Sequence, residues 1–240
     1  MSAPPRDFAD LLSPAGRRVL EGRDRTLTGI LADPDQRVLS IDGAIAAEPA
    51  RAWLARLEAE MRPALVPVSH PIEARRPRRA TAERLGKTMR FATALLARRD
   101  SKSYRRAQRI GLVRLLRSDS FREFAQALAG RRLRPAWGIQ VSCYGAGDYA
   151  GPHTDDFPDL PAARAGYLDI HISLTTPAVA GQSLVYESGG HFCQQIELAT
   201  LGGITAYRLP LWHYTTPLQA RPGQEQAARR WLLLGTFLYA

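Results

Sequence analysis

From Gly138 onward the chain breaks into short alternating runs separated by turns, and this texture limits the fold more than any other feature. The runs 138–144, 167–175, 183–187, 192–200, 204–209, 213–218 and 230–239 each have strand length. Short strands at such spacing point to a sandwich or barrel, because a βαβ sheet needs a helix between successive strands. Asp169-Ile170-His171-Ile172-Ser173-Leu174 alternates strictly, so its polar members share one face. Turned into a barrel, Asp169, His171 and Ser173 need hydrophilic partners there. Gly138–Tyr144 alternates too, aiming Ile139, Val141 and Cys143 at a core and Gln140, Ser142 and Tyr144 at an opposite, pocket-like face.

The first half has a different texture. Residues 1–36 read as a loosely structured segment with one short helix around Phe8–Leu20, and Arg37–Gly43 as a short strand. The apolar spacing Trp53, Leu54, Leu57, Met61 makes Glu48–Met61 an amphipathic helix. Leu65–Arg79 is a Pro- and Arg-rich loop, while Thr81–Arg98 and Ser103–Leu116 read as helices. Ser118 can cap a further helix, Phe121–Leu128, closed by Gly130. The expectation is an α+β chain: a single domain over 37–240, with a helical part (48–130) buttressing a β-barrel-like core (136–240).

Composition narrows the class. Of 240 residues, 45% are hydrophobic and 23% charged, which is ordinary for a soluble globular protein, and no apolar run approaches a membrane span. Two cysteines make no disulfide framework and the N-terminus lacks a signal-peptide layout, so a cytoplasmic location is expected. Net charge is +10, but residues 1–140 carry 28 Lys and Arg against 15 Asp and Glu, while residues 141–240 carry 5 against 8. The basic half can meet nucleic acid or another acidic partner. The plainer account is a solvated Arg-rich helical surface, since no aromatic residues interleave with the arginines for base stacking.

The stretch Cys143–Asp156 carries the chemistry. His153 and Asp155 stand two apart after a Gly-rich turn, so an extended backbone puts both on one side, where they can grip one cation. A bare His-x-Asp arises by chance about one time in four in such a chain, and a solvated loop pair is the plain alternative. An imidazole and a carboxylate are two members of the 2-His-1-carboxylate set that holds non-haem Fe(II). A second histidine must return alongside. His191 follows Ser188-Gly189-Gly190 and reads as an exposed loop residue, whereas His213 opens a returning strand after Pro210-Leu211-Trp212.

Tyr144-x-x-Gly147, His153-x-Asp155, the strand Gly181–Tyr186, His213 and Arg230 together resemble the Fe(II)/2-oxoglutarate dioxygenases, most closely their prolyl-4-hydroxylase-like branch. The likeness is specific over 138–240 and loose over 37–137. It implies a double-stranded β-helix (jelly-roll) core with N-terminal buttressing helices. It also implies iron on His153, Asp155 and His213, which would be the catalytic metal ligands. Arg230 would pair with the distal carboxylate of 2-oxoglutarate, which a guanidinium grips through two parallel hydrogen bonds. Tyr144 would hydrogen-bond the co-substrate, and Ser173 or His171 would line the same pocket. The usual Gly-Gly pair is Gly181-Gln182 here, and the gap from His213 to Arg230 is long. Arg229 adjoins Arg230, and a one-residue slip exchanges them; the ranking is Arg230, then Arg229, then Arg221.

By the same resemblance, O2 and 2-oxoglutarate would be consumed to give succinate and CO2, with ascorbate as a supporting reductant. Related halogenases have a small residue at the carboxylate position, so Asp155 favours hydroxylation, desaturation or cyclisation. The expected substrate is a small molecule such as an amino acid or natural-product intermediate, with a peptide or protein residue as the alternative. Related nucleic-acid dealkylases have a second Arg where this chain has Thr236, which argues against nucleic acid. A catalytically silent metal-binding interaction protein is the reading from another class. No membrane partner is expected.

Overall fold

The computed structural model describes Pro5 and residues 7–71, 88–155 and 161–240. Thirteen strands among them are β1 (Val38–Ile41), β2 (Val66–Pro71), β3 (Thr88–Leu95), β4 (Gly138–Gly145), β5 (Tyr149–Ala150), β6 (Tyr167–Thr175), β7 (Val179–Gly181), β8 (Ser183–Ser188), β9 (His191–Glu197), β10 (Gly203–Leu209), β11 (His213–Thr215), β12 (Gln219–Ala220) and β13 (Arg229–Leu238). They form a large antiparallel sheet in the order β1-β10-β6-β13-β4-β3-β2, with β5 also on β3. A smaller sheet, β11-β8-β9, lies apart from it, with a two-stranded ribbon, β12-β7. This is a jelly roll, the double-stranded β-helix that the strand spacing and the resemblance imply.

Alternation decides which face of the large sheet each side chain meets. Leu168, Ile170, Ile172 and Leu174 of β6 and Trp231, Leu233 and Phe237 of β13 are all at most 2% exposed and belong to the main core. The helices cover that face. Fully burying each such side chain is worth roughly 1.5–3 kcal/mol, so this layer ties the helical half to the sheet. Gly235 sits in the same row of β13, where a Cβ would meet Phe121 Cε1 at 2.5 Å. The missing side chain is what lets Phe121 reach the sheet.

The helical half departs from expectation in three places. Residues 7–36 are not loosely structured: a 3₁₀ turn (Phe8–Leu11), a helix (Pro14–Leu20) capped by Ser13 and a second turn (Ile30–Ala32) bury Phe8, Leu11, Val19 and Leu31 in the main core. Residues 88–95, read as part of a helix, form β3, which pairs with β4 on one side and β2 on the other. Without it β4 would be an open edge beside the fully buried Val141. The run 66–71 is a strand rather than loop, and the remainder of the Leu65–Arg79 and Thr81–Arg98 expectations, residues 72–87, lies outside the described residues. The stretch 103–116 divides into Lys102–Arg109 and Leu112–Leu116 at Gly111, whose φ of 85° ends the first helix. Ser118 caps Asp119–Ala129 and Gly130 closes it with φ 65°. Among the described residues no helix is long and apolar enough to cross a membrane.

Candidate metal centre

His153 and His213 meet through their backbones before their side chains matter. Each amide nitrogen donates to the other's carbonyl at 3.0 Å, an isolated antiparallel bridge. Residues directly opposite in such a pair project side chains to the same face. The two imidazole centroids therefore lie 4.4 Å apart. Both rings are set in the same way: Nδ1 of His153 lies 2.7 Å from the Gly151 carbonyl and Nδ1 of His213 lies 2.9 Å from that of Leu211. A carbonyl only accepts, so Nδ1 carries the proton and Nε2 is left with its lone pair free.

Asp155 faces those two nitrogens. Its carboxylate oxygens are 3.7 Å from His153 Nε2 and 3.6 Å from His213 Nε2. One ligand atom from each residue lies within 4.8 Å of the others, and these three are the group of potential metal ligands found among the described residues. The Tyr167 phenol donates to the Asp155 carbonyl and fixes the segment from below. Burial, and then the neighbouring His153, push the His213 imidazole down to about 4, against the pull of Asp155, so it is neutral at neutral pH. For Asp155 burial acts upward, but His153, His213 and His171 outweigh it and hold the carboxyl below the usual carboxylate range. Two imidazole Nε2 atoms and a carboxylate on one side of a point are a donor set for a divalent first-row metal.

A cavity of about 490 Å³ opens beside the triad. Tyr144, Ser142 and Gln140 line it, as their strand alternation requires, while Val141 and Cys143 join the core and Ile139 belongs to the core and touches the cavity as well. His171 and Asp169 line it as well. Ser173 does not: although on the same face of β6, its hydroxyl donates to the Leu198 carbonyl at 2.7 Å. His191 is exposed at the start of β9.

The three candidate arginines separate clearly. Arg230 is 2% exposed, its guanidinium carbon lies 4.9 Å from the Tyr144 ring centroid, and its Nε has no hydrogen-bond partner among the described residues. No carboxylate of the described residues forms an ion pair with it. Arg229, one position along, points to the other side, where its Nε lies 3.6 Å from Glu58 and its Nη1 donates to the Gln226 carbonyl. Arg221 is exposed and donates to the Pro177 carbonyl. A buried guanidinium without a counter-charge is costly, and Arg230 stands behind Tyr144, itself a cavity-lining residue. Arg230 therefore stays ahead of its neighbours on burial and pairing.

Two contributors escape a reading of the sequence alone. Gln182, at the Gly-Gly departure, is 1% exposed and its side-chain amide donates to the Thr216 carbonyl at 3.0 Å and more weakly to that of Asp148, tying the ribbon to the metal-side loops. Trp137 borders the cavity and is 47% exposed. Neither lies in a spacing pattern that marks it.

No protein-family model matches the sequence and no curated protein does, so its likeness to known proteins is one of fold. That fold is the one shared by iron- and 2-oxoglutarate-dependent oxygenases. A Pseudomonas putida prolyl-4-hydroxylase matches over 89% of this chain and 99% of its own, with TM-score 0.54 and 14% identity. A prolyl hydroxylase of Trichoplax adhaerens, solved with a hypoxia-inducible-factor peptide, matches over 95% of both chains at TM-score 0.57 and 11% identity. The α-ketoglutarate-dependent epimerase SnoN of nogalamycin biosynthesis matches over 94% of this chain and 84% of its own at TM-score 0.55 and 14% identity.

Proposed function

We propose that this chain is an Fe(II)- and 2-oxoglutarate-dependent oxygenase that hydroxylates an unactivated C–H bond of a small molecule. The observation that carries this is the triad itself: two imidazole Nε2 atoms, each freed by an Nδ1–carbonyl hydrogen bond, converging with Asp155 beside a cavity. His153, Asp155 and His213 would hold the iron, and Arg230 with Tyr144 would hold the distal carboxylate of 2-oxoglutarate. When bound, these groups supply oxidation of a C–H bond coupled to conversion of 2-oxoglutarate and O2 into succinate and CO2.

The protein's own part is positional. The Gly151 and Leu211 carbonyls orient the imidazoles, and burial keeps His213 unprotonated. The Arg230 guanidinium, held against the Tyr144 ring, presents a fixed positive charge away from bulk water. A cavity of about 490 Å³ is of the size that encloses a small organic ligand, which favours a small molecule over a peptide. The fold match to an antibiotic-pathway epimerase is in keeping with this choice.

The test is succinate release from 2-oxoglutarate in aerobic buffer with Fe(II) and ascorbate, screened over amino acids, small amines, natural-product intermediates and peptides. Stimulation by a small molecule and its loss on chelation are expected. Stimulation by peptides alone would transfer the activity to a protein substrate; no succinate under any condition would leave the silent metal-binding reading.

A further inference from the structure

The inner face of the large sheet is organised in rungs, and opposite charges stand far apart along it. One end rung is Thr175–Arg230–Tyr144, where the co-substrate carboxylate is assigned above. Six residues further along β13 lies the rung Tyr207–Asp169–Thr236–Gly138, next to the closing rung Leu209–Tyr167–Leu238, and between it and Arg230 lies Thr205–His171–Leu234–Gln140. Six residues of strand span roughly 20 Å, so Asp169 cannot share a ligand atom with Arg230.

Asp169 is an unusual residue to find there. It is 5% exposed, it lines the cavity, and its Oδ1 has no hydrogen-bond partner among the described residues. His171 beside it has an unpartnered Nε2, 3.9 Å from Asp169 Oδ2 and beyond hydrogen-bond reach. Gln140 cannot supply the missing donor, because its side-chain amide already donates to Thr93 Oγ1 and Ser142 Oγ at 2.9 Å each. Burial raises the Asp169 carboxyl above the usual range, against the opposing pull of the neighbouring His171 and Thr236. Among the described residues that line the cavity there are two carboxylates, Asp155 and Asp169, and no lysine or arginine. Met89, Phe91, Leu184, Leu232 and Leu234 supply apolar wall, and the half-exposed Trp137 borders it.

A buried carboxylate with an open lone pair is stabilised most by a cationic donor. We propose that Asp169, with His171 alongside, is the recognition subsite for an ammonium group, so that the substrate is an apolar small molecule carrying a primary or secondary amine. This deepens the oxygenase reading and rests on it. An acidic or phosphorylated substrate would meet Asp169 as a like charge, which turns the cavity away from nucleic acid whatever the helical surface does.

Three probes with the same apolar body test the charge preference: 3-phenylpropylamine, 3-phenylpropan-1-ol and 3-phenylpropanoate. Binding is measured at pH 7.5 without oxygen on protein loaded with Fe(II) and 2-oxoglutarate, from the perturbed visible charge-transfer band, and by calorimetry on metal-free protein. The amine is expected to bind at least tenfold more tightly than the alcohol, with the carboxylate weakest. Asp169→Asn is expected to bring amine and alcohol within threefold while leaving the affinity for 2-oxoglutarate unchanged. Equal binding of the three probes to the wild-type protein, tighter binding of the carboxylate, or no amine binding at millimolar concentration overturns the proposal, whether or not the variant folds. Failure of the charge-transfer band to form with 2-oxoglutarate, while the calorimetric amine preference persists, counts instead against the oxygenase reading.

Discussion

The two faces of the large sheet are built from the same strands and do opposite work. On β6, Leu168, Ile170, Ile172 and Leu174 turn to the helices while Asp169, His171, Ser173 and Thr175 turn inward; on β13, Trp231, Leu233, Gly235 and Phe237 face out against Arg230, Leu232, Leu234 and Thr236. Apart from Arg229 at the start of β13, which pairs with Glu58, these outer rows carry no charged group and share in one continuous core. The inner row keeps Arg230, Asp169 and His171 out of water with atoms that the protein itself leaves unpaired. Stability and chemistry are thus divided by residue parity rather than by region of sequence. A substitution on one face should spare the property owned by the other.

The sharpest break of that division is at the triad. Asp155→Ala is expected to lower 2-oxoglutarate turnover at least ~100-fold, since a proposed metal ligand is lost. The melting temperature should move little, because the side chain is 38% exposed; wild-type turnover in the variant would remove Asp155 from the ligand set. The mirror experiment is Trp231→Ala on the outer row. Trp231 is 0% exposed and its indole N–H donates to Glu58 at 2.7 Å, so denaturant titration should show a loss of about 3–5 kcal/mol, with turnover per folded molecule retained.

Acid gives the next effect. His213 has a folded pKa of about 4 against 6.5 ordinarily, so on acidification the unfolded chain takes up its proton first. Its contribution to metal-free stability is complete above about pH 6.5 and is lost as pH falls toward 4, at most about 3 kcal/mol. Unfolding titrations across that window should show the slope, and His213→Gln should flatten it. Smallest is the effect at the proposed co-substrate anchor: Arg230→Gln should raise the KM for 2-oxoglutarate about 10–100-fold, the worth of a charge-assisted hydrogen-bonded pair. Arg229→Gln and Arg221→Gln should stay within about twofold; a larger effect at Arg229 would mean that β13 is read one residue out of register.

What the sequence disclosed follows the same parity. Alternation made β4 and β6 legible nearly to their ends, β10 and β13 were legible as short strand-length runs between turns, and the i, i+2 spacing of His153 and Asp155 marked two members of the triad. The helix start at Ser118 was legible through its cap, whose hydroxyl accepts from the Phe121 amide, whereas the Ser101 cap was not read and its helix was expected from Ser103. The N-terminal segment was legible only as a short helix around Phe8–Leu20; its ordering by the core that Phe8, Leu11, Val19 and Leu31 enter was not. Residues 88–95 fit either period, and only the need to cover β4 decides for a strand. The isolation of Asp169 was equally hidden: its alternation was visible, but which neighbours have spent their donors depends on register across three strands.

The reciprocal backbone bridge between His153 and His213 makes two amide protons hostages of one another. Neither can exchange with solvent unless the pair separates, and separation also parts the two candidate ligands. Hydrogen exchange at these two amides should therefore slow together in proportion to metal occupancy, and by the same free energy. An affinity for a metal would then be readable from the main chain, with no chemistry taking place.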